Sequence, residues 1–299
     1  MGVDAPRAYV DAPVTDLSAA SLAAGRAAQH WALDPPVLLR HGMNAIFVSG
    51  DVVLRVATPS VPAGASIDLA EFLGRQGIRV PAPRRADVVV EGPMSVTAWD
   101  RIPQTDVPID WTAVGAMVRQ VHALDVRAMP PSIPFPLPSV LPWWDFDALL
   151  ERAGDGLDGP ARDGLVAAVE RHRSWQDFGD TVVCHGDVHP GNVMMSADGP
   201  VLLDWDLLCR APAGWDHGPL MTWHDRWGGD PEIYPALARG YGRSFVGDPA
   251  AAAFAELRLV AATLMRVTAA LVNPDARPEA ERRLRFWRGD PDAPTWTAQ

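Results

Sequence analysis

Hydrophobic and polar positions along the chain divide it into a strand-rich first third and a helical remainder. An amphipathic pattern near Asp16 to Leu33 predicts an opening helix. Short apolar and β-branched runs predict strands at Val37–Leu39, Ala45–Val48, Val52–Val56, Asp87–Val90 and Met94–Trp99. The pattern of Ile67–Gln76 is helical and ends at Gly77. These segments together predict a small antiparallel sheet with one inserted helix.

After Ile109 the spacing of apolar residues becomes helical. One face of the helix that follows would carry Trp111, Val114, Met117, Val118, Val121 and Leu124. The proline-rich segment Met129–Pro142 predicts irregular structure, and helical patterns resume at Asp145 and Ala161. Three more helices are predicted at 231–246, 250–272 and 277–288. The layout predicts an α+β protein of two lobes, with residues 1–104 in the N-terminal lobe and residues 105–299 in the C-terminal lobe.

The composition limits the classes of protein that the chain can represent. It has 299 residues, 48% of them hydrophobic and 21% charged, as is ordinary for a globular protein. The net charge of -11 argues against nucleic acid as a partner, because a nucleic-acid binder needs a basic face for phosphates. The same charge is compatible with a cationic small molecule, since an acidic cleft concentrates cations.

The sequence contains no lysine, so its basic side chains are arginines and histidines. This excludes Schiff-base chemistry and the P-loop signature, both of which need a lysine. Any side-chain clamp on a phosphate must therefore be an arginine, which binds phosphate bidentately. The two cysteines, Cys184 and Cys209, are predicted to be buried thiols in a reducing compartment.

Charged residues also interrupt the segments that would direct the chain to a membrane. Near the N-terminus, Asp4, Arg7 and Asp11 stand where a signal peptide would need an apolar run. In the most apolar helical stretch, Ala250–Val272, the interruptions are Glu256, Arg258 and Arg266. We therefore expect a cytoplasmic protein with no membrane partner.

One segment, Cys184–Asp206, contains most of the candidate chemistry. It sets His185, Asp187 and Asn192 in one short polar loop, and a strand-like run then leads to Asp204. Two carboxylates and an amide in this arrangement suit a reaction that orients a hydroxyl and holds a divalent cation beside a phosphate.

The order of residues in this segment resembles the aminoglycoside phosphotransferase family, a branch of the protein-kinase-like fold. The resemblance rests on His185-Gly186-Asp187, then Asn192 after four residues, then Leu203-Asp204-Trp205-Asp206. Further segments resemble the family in the same order: Arg40–Asn44 followed by Leu54–Val56, Gly77–Pro81, Val121–Leu124 and Trp215-Asp216. The similarity covers residues 37 to 220.

The resemblance implies a kinase-like fold and transfer of the γ-phosphoryl group of ATP or GTP to a hydroxyl of a small molecule. Asp187 would accept the proton of that hydroxyl, as the catalytic base. Asn192 and Asp204 would bind Mg²⁺, a hard cation that prefers oxygen ligands. The N-terminal lobe would bind the nucleotide, and the C-terminal lobe would hold the catalytic loop and the acceptor site.

The resemblance also assigns residues to the nucleotide. Arg55 stands where the fold usually has a strand lysine that grips phosphates, and Gly42 and Asn44 lie in the turn expected to cover them. Trp99 ends the strand that leads into the hinge for the base. A helix carboxylate normally orients the strand lysine; here either Asp68 or Glu71 is available for Arg55, and the sequence does not choose between them.

Several other residues are assigned supporting or substrate roles. His185 is expected to support the loop, and Asp216 to hold the loop backbone. For Asp206, a metal-related role and a plain salt bridge are equally compatible with the pattern. Five tryptophans are candidates for an aromatic wall around a cationic acceptor, with core packing as the alternative: Trp143, Trp144, Trp215, Trp223 and Trp227. Three acidic residues after them could bind its ammonium groups, with a solvated face as the alternative: Asp225, Asp230 and Glu232.

The acceptor implied first is an aminoglycoside or another antibiotic, and a metabolite such as choline, homoserine or a sugar is the alternative, because fold does not fix the substrate. Two readings from other classes remain. His185, Asp187 and His189 alternate as zinc ligands on a strand would, which would suit a metallohydrolase. The second of these readings is an inactive regulator that binds a nucleotide. The oligomeric state is left open.

Overall fold

The structure, a computed structural model, describes residues 11–177 and 179–297. The strands in this part of the chain are β1 (Val37–His41), β2 (Ala45–Ser49), β3 (Val52–Ala57), β4 (Val89–Glu91), β5 (Met94–Asp100), β6 (Val182–Cys184), β7 (Val193–Ser196), β8 (Gly199–Leu202) and β9 (Cys209–Ala211). The helices are α1 (Leu17–His30), α2 (Gly64–Arg75), α3 (Trp111–His122), α4 (Phe146–Ala153), α5 (Gly159–Arg171), α6 (Gly214–Met221), α7 (Trp223–Trp227), α8 (Ile233–Tyr241), α9 (Pro249–Val272) and α10 (Arg277–Trp287). The predicted α+β class is confirmed. Asp4 and Arg7, used above in the argument about a signal peptide, lie outside the described residues.

The chain divides into two compact units, but not at the single boundary predicted near residue 105. The described residues of the first unit are 11–110, 124–136 and 190–208, and the second unit takes the remainder. Backbone hydrogen bonds attach the late segment to the first unit: Thr105 N–H donates to Met195 at 3.0 Å, and Leu202 N–H donates to Arg79 at 3.1 Å. A single boundary fails because the chain returns to the first unit after leaving it.

The first unit contains the predicted antiparallel sheet, with strand order β1-β2-β3-β5-β4. In the central strands Leu54 lies opposite Ala98 and Val56 lies opposite Val96, and these four side chains are fully buried. Helix α1 covers this face with a stripe of small buried residues: Ala20, Ala23, Ala24 and Ala27. Asp16 caps the helix by accepting a hydrogen bond from Ala19 N–H at 2.9 Å. The sheet thereby forms a rigid base for the side chains on β3.

A two-stranded hairpin, β7–β8, completes the first unit. Val193 pairs with Leu202 and Ser196 with Gly199, whose φ of +117° suits glycine at the turn. Beyond the last ladder pair, Leu203 N–H donates to the carbonyl of Asn192 at 2.9 Å. The hairpin register therefore brings together two residues that are 11 positions apart in sequence.

The second unit is built on α9, which packs against α4, α5, α6 and α10. Asp248 caps this helix on Ala251 N–H at 3.0 Å, and Pro249 occupies its first turn. Helix α3 crosses α8 so closely that a Cβ at Gly115 would overlap the carbonyl oxygen of Leu237. No helix among the described residues is long and apolar enough to cross a membrane.

Some of the elements were shorter or less regular than the sequence pattern predicted. The helix predicted at 231–246 is α8, which ends where Gly242 adopts a left-handed φ of +89°. The α6 and α7 helices were not predicted, since α6 contains Pro219 and α7 has only five residues. Strands β6 and β9 have three residues each, too few for a period to be recognised.

Candidate active site

A buried carboxylate fixes the loop that follows β6. Asp216, on α6, is fully buried and accepts hydrogen bonds from the backbone N–H groups of His185 at 2.8 Å and Gly186 at 2.7 Å. It also contacts His122 Nε2 at 3.1 Å, and the other ring nitrogen of His122 contacts the Tyr241 hydroxyl at 2.9 Å. Burial raises the pKa of Asp216, but the His122 hydrogen bond and the other donors outweigh it and hold the pKa below its usual value. An ionised carboxylate therefore clamps the loop backbone.

Asp187 follows immediately in this loop. Gly186 has a φ of +92°, which only glycine adopts readily, and this turn directs the chain toward Asp187. The backbone N–H of Asp187 donates to His185 Nδ1 at 3.2 Å, and the His185 ring is fully buried. The buried His185 ring thus supports the loop backbone, whereas the Asp187 side chain keeps 17% of its surface exposed.

The carboxylate of Asp187 forms an ion pair with Arg258 on α9, whose Nη2 donates to Oδ1. His189 Nε2 lies 3.4 Å from the other carboxylate oxygen. Burial alone would raise the pKa of Asp187, but Arg258 and then His189 and His185 lower it well below the usual range. Asp187 is therefore a carboxylate throughout the physiological pH range, as a proton acceptor must be.

The predicted metal ligands lie at the open end of the β7–β8 hairpin. Asn192 is buried and Asp204 is exposed. Asp204 directly follows Leu203, whose backbone N–H donates to the carbonyl of Asn192. Asp204 has a φ of +59°, a left-handed conformation that Asp and Asn tolerate better than other side chains. An amide and a carboxylate are oxygen ligands of the kind that Mg²⁺ prefers.

Arg55, on β3, is surrounded by polar side chains of the first unit. Its Nη2 donates to Asp206 at 2.7 Å and to Asp11 at 3.0 Å. With its amide oxygen facing the guanidinium, Asn44 accepts from the same Nη2 at 2.7 Å and from Nε at 3.1 Å. Burial raises the pKa of Asp206 to about 7, with Arg55 lowering it and the Asp204 and Asp11 carboxylates raising it. The cluster is thus acidic and holds more carboxylates than one arginine neutralises.

The predicted pairing of Arg55 with Asp68 or Glu71 is wrong, because the carboxylates that pair with Arg55 are Asp206 and Asp11. Asp68 instead accepts a hydrogen bond from Ser132 Oγ at 2.6 Å. Glu71 is on the exposed side of α2 and lies 3.7 Å from Arg75, one turn further on. The carboxylates that contact the guanidinium are therefore Asp206 and Asp11, whereas the two helix carboxylates contact other side chains.

The remaining nucleotide candidates occupy the first unit at separate points. Gly42 is exposed in the β1–β2 turn, where its N–H donates to the carbonyl of Asn44 at 3.0 Å. Trp99 is half-buried near the end of β5, and its indole N–H donates to Thr97 Oγ1 at 2.8 Å. Gly42 and Arg55 each contact Asn44, whereas Trp99 contacts Thr97.

The predicted acceptor residues do not form one wall, and two of the tryptophans, Trp144 and Trp215, are buried in the core. Trp223 stacks on His189, with ring centroids 5.9 Å apart and an interplanar angle of 15°, and also stacks on Trp227. Asp225 and Asp230 are exposed, and Asp230 caps a turn by accepting from Glu232 N–H. Trp223 is therefore connected to Asp187 through His189, whereas Asp230 has a local structural role.

The geometry gives little support to the alternative of a zinc metallohydrolase. Within residues 11–177 and 179–297, the group of three side chains spaced for a metal ion is His122, Cys184 and Asp216, rather than His185, Asp187 and His189. In that group, Asp216 already accepts the two loop N–H groups and contacts His122. Both cysteines are buried free thiols, as the sequence predicted.

Sequence reasoning missed two residues that contact predicted site residues: Arg258, which contacts Asp187, and Asp11, which contacts Arg55. Arg258 was noted only as one of three charges that interrupt an apolar helix, yet a charge on a largely buried helix needs a partner, and that was a usable signal. Asp11 lies in a segment without periodicity, before α1, and reaches Arg55 through a single bridge between Ala12 and Thr58. No pattern in the sequence indicated this contact.

Comparison with known families supports the resemblance found in the sequence. Residues 39–260 match the phosphotransferase enzyme family (APH), so the chain belongs to this family. No curated protein matches the chain in sequence.

Solved structures with the same fold include enzymes of different specificity. A choline/ethanolamine kinase family protein from Mesorhizobium loti superposes with a TM-score of 0.65 at 18% identity, covering 94% of this chain and 95% of that one. An aminoglycoside phosphotransferase from Streptomyces rimosus gives 0.59 at 20% identity, with 83% and 99% covered. An amicoumacin kinase in complex with AMP-PNP, Ca²⁺ and Ami gives 0.65 at 14% identity, with 89% and 93% covered. The kinase-like fold is thereby confirmed.

Proposed function

We propose that the protein transfers the γ-phosphoryl group of ATP or GTP to a hydroxyl group of a small molecule in the cytoplasm, with Asp187 as the catalytic base. The observation that carries this proposal is the state of Asp187 in a chain that belongs to the phosphotransferase family. Its carboxylate is ionised, partly exposed, and carried by a loop whose backbone the buried Asp216 clamps.

In the proposed reaction the acceptor oxygen forms a bond to the γ-phosphorus, and the bond from that phosphorus to the β–γ bridging oxygen breaks. The products are a phosphate monoester and ADP or GDP. The hydroxyl proton passes to a carboxylate oxygen of Asp187. Catalysis of this kind depends on positioning and on stabilising charge, which explains why the loop is fixed by so many hydrogen bonds.

Asn192 and Asp204 fit a divalent metal ion in donor chemistry, since the two ends of the hairpin offer an amide and an exposed carboxylate. Mg²⁺ at these ligands would neutralise phosphate charge and hold the nucleotide's oxygens in place. The residues themselves supply the oxygen ligands and the rigid turn. The amicoumacin kinase, which binds AMP-PNP and Ca²⁺, supports a nucleotide and a divalent cation as the requirement.

For the nucleotide, we assign Arg55 and Asn44 to the phosphates, with Gly42 in the covering turn and Trp99 leading toward the base. Arg55 has a planar guanidinium that matches phosphate oxygens bidentately. Asp206 holds Arg55 in position in the first unit. Its contact is a salt bridge, which supports the plainer of the two roles that the sequence left open.

The first acceptors to test are aminoglycosides and other antibiotics, because the aminoglycoside phosphotransferase and the amicoumacin kinase share the fold. A small metabolite is the second candidate, supported by the choline/ethanolamine kinase family protein. On either candidate, Trp223 is the most suitable of the predicted acceptor residues, since it stacks on His189 beside Asp187.

The test is a nucleotide- and Mg²⁺-dependent phosphorylation assay on a panel of hydroxylated antibiotics and metabolites, with Asp187→Asn as the variant. We expect its kcat to fall by at least about a hundredfold, the usual contribution of a general base, while nucleotide binding persists. Asp163→Asn, an exposed residue on α5, is the control.

The other outcomes separate the alternatives. Unchanged turnover in Asp187→Asn would remove Asp187 as base. Nucleotide binding without phosphorylation of any acceptor and without nucleotide hydrolysis would favour the inactive regulator. Stoichiometric, tightly bound zinc that is insensitive to nucleotide would favour the metallohydrolase.

A further inference from the structure

The imidazole of His189 faces the proposed base from its own loop. Its Nε2 lies 3.4 Å from Asp187 Oδ2, whereas Arg258 Nη2 donates to Oδ1 of the same carboxylate. An ionised carboxylate only accepts hydrogen bonds, so the ring nitrogen that faces it is one that bears a proton. Each of the two oxygens of Asp187 therefore faces a donor, one from α9 and one from the loop.

The contact between His189 and Asp187 is slightly longer than an ordinary hydrogen bond, which spans about 2.7–3.2 Å between nitrogen and oxygen. Catalytic hydrogen bonds are often long in an enzyme without substrate and shorten when the substrate binds. Both side chains keep less than a third of their surface exposed, so solvent screens the contact only in part. A small movement of the imidazole would therefore complete the hydrogen bond to Oδ2.

Trp223, on α7, restricts the direction in which the His189 ring points. The two rings are stacked, with centroids 5.9 Å apart and an interplanar angle of 15°. Trp223 also stacks on Trp227, at 5.6 Å and 19°, so the imidazole belongs to a row of three nearly parallel rings. Because rotation of the imidazole out of this plane would break the stack, the stack holds the plane in which Nε2 points.

The turn after α7 keeps Trp223 in place. A Cβ at Gly229 would lie 2.0 Å from Trp223 Cδ1, so the backbone approaches the indole more closely than any other residue would allow. The N–H of Gly229 also donates to the carbonyl of Trp223 at 3.2 Å. The row of rings is thus anchored to the backbone that follows α7, and the His189 ring stacks on an indole with little room to move.

We propose that His189 is a positioning residue for the base: its Nε2–H holds the Asp187 carboxylate in the orientation that receives the proton of the acceptor hydroxyl, and Trp223 acts through His189 by holding the imidazole. The inference rests on the proposed phosphotransfer and adds two residues to it. Because they orient the base, these residues govern the rate of transfer rather than the affinity for the acceptor.

A direct contact between Trp223 and the acceptor is the competing role, because indole rings attract apolar rings and cations. The two roles differ in their kinetics. Loss of a contact that is equally strong in the ground state and the transition state raises KM, whereas misdirection of the base lowers kcat. The stacking of Trp223 on the ring that faces the carboxylate favours the second role.

Two substitutions of His189 separate its ring from its N–H group. His189→Phe keeps a ring that can stack on Trp223 but removes the donor, and His189→Gln keeps an N–H donor but removes the ring. With the best acceptor of the panel, we expect kcat to fall about tenfold or more in His189→Phe and less in His189→Gln, while the acceptor KM changes by less than about twofold. His30→Gln, at an exposed histidine on α1, is the matched control and should leave both constants unchanged.

A double-mutant cycle tests whether Trp223 acts through His189. Trp223→Leu should lower kcat by about threefold or more in the wild-type protein and by less than about twofold in the His189→Phe protein, because the ring there no longer carries a donor. Thermal unfolding and nucleotide binding show that each variant is folded.

A measurement that needs no turnover examines the same contact. In ¹⁵N spectra of the histidine rings, the His189 signals are those missing from His189→Gln. They should show a protonated Nε2 and should shift in Asp187→Asn and in Trp223→Leu, but not in Asp163→Asn.

Several results would overturn the positioning role. These are an unchanged kcat in His189→Phe, a loss in His189→Gln as large as that in His189→Phe, a Trp223→Leu effect confined to KM, and an Nε2 without a proton. Each of them leaves phosphorylation by the wild-type protein intact, so the proposed function would stand. Failure of the function would instead show as no phosphorylation of any acceptor by the wild-type protein, and the ring spectra would then still decide whether His189 donates to Asp187.

Discussion

The guanidinium of Arg258 donates a hydrogen bond to the carboxylate of Asp187, the proposed base. This contact joins the middle of α9 to the loop after β6, and it gives Asp187 a low pKa in partly buried surroundings. The base is thereby kept ionised by a residue more than 70 positions away in sequence. The pair also gives a partner to Arg258, one of the charged residues that interrupt the apolar stretch of α9.

Replacing Arg258 should change the pH dependence of turnover. Arg258 lowers the pKa of Asp187 and burial raises it, so Arg258→Met leaves burial less opposed and the pKa rises. Because the base acts only when deprotonated, the acidic limb of the kcat/KM profile should move upward by about one to three pH units. A profile that superposes on the wild type would contradict the role of the pair, and Arg266→Met provides the matched control.

Two substitutions of Asp204 separate the effect of its charge on metal binding from the effect of its backbone conformation on stability. Asp204→Asn retains a residue that tolerates the left-handed φ of +59°, so the fold should persist while the Mg²⁺ concentration for half-maximal activity rises at least about tenfold. Asp204→Ala should show the same metal defect and lose about 1 kcal/mol of unfolding free energy besides, because alanine is strained there. Activity titrations with Mg²⁺ and urea unfolding measure the two effects, and an unchanged Mg²⁺ requirement in both variants would exclude Asp204 as a ligand.

Removal of Arg55 should destabilise the first unit. The side chains of Arg55, Asp206 and Asp11 keep less than a fifth of their surface exposed, so Arg55→Met leaves two buried carboxylates without their cation. We expect a loss of about 3 kcal/mol in the free energy of unfolding. Adding Asp206→Asn to Arg55→Met should recover part of that loss, because one unpaired charge is removed. If the losses of the two single variants simply add in the double variant, the residues are not coupled.

The buried His217 should make stability depend on pH. Its ring packs between Tyr241 and Phe245, and burial, with His122 and Arg243 nearby, lowers its pKa to about 3. Below about pH 6.5 the unfolded chain binds a proton at this histidine and the folded chain does not, so unfolding takes up a proton and stability falls as the pH falls.

Between pH 7 and pH 5 this single group should cost about 2 kcal/mol of unfolding free energy. His217→Phe removes the titration and fills the same aromatic space, so its stability should change less over that interval. Urea unfolding of both proteins at pH 7, 6 and 5 measures the difference. Equal slopes would mean that other groups cause the acid sensitivity.

Replacing each of two glycines by alanine should change the free energy of unfolding in opposite directions. At Gly115 the added methyl group would overlap the Leu237 backbone at the α3–α8 crossing, so Gly115→Ala should cost about 2 kcal/mol or more through forced separation of the helices. At Gly25 in α1 no atom lies within 4 Å of the new Cβ, so Gly25→Ala should stabilise by about 0.5–1 kcal/mol through helix propensity. Thermal unfolding of both variants checks the prediction.

The elements that the sequence predicted are those with enough length for a period. The sheet of the first unit, α1, α2, α3 and α9 were recognisable because their apolar residues recur over two or more turns or along alternating positions. Segments such as α7 and the three-residue strands β6 and β9 are too short to carry a period, and their conformation is set by the neighbours they pack against.

The candidate site divides in the same way. The spacing of Asp187, Asn192 and Asp204 is local, because a loop and a hairpin of fixed register connect them, and the sequence was sufficient to propose these residues and the reaction. The partner of Arg55 was not local: the expected helix carboxylates, Asp68 and Glu71, bind elsewhere, and Asp206 and Asp11 take their place.

The sequence by itself determined the family, the fold class and the ordered set of polar residues from His185 to Asp206, since these depend on neighbouring positions and local backbone geometry. The tertiary structure alone decided which charges meet, as with Arg258 and Asp187 or Asp11 and Arg55. The physical reason is that contacts between distant segments depend on how helices and strands pack, and no residue period encodes the partner of a single charged side chain.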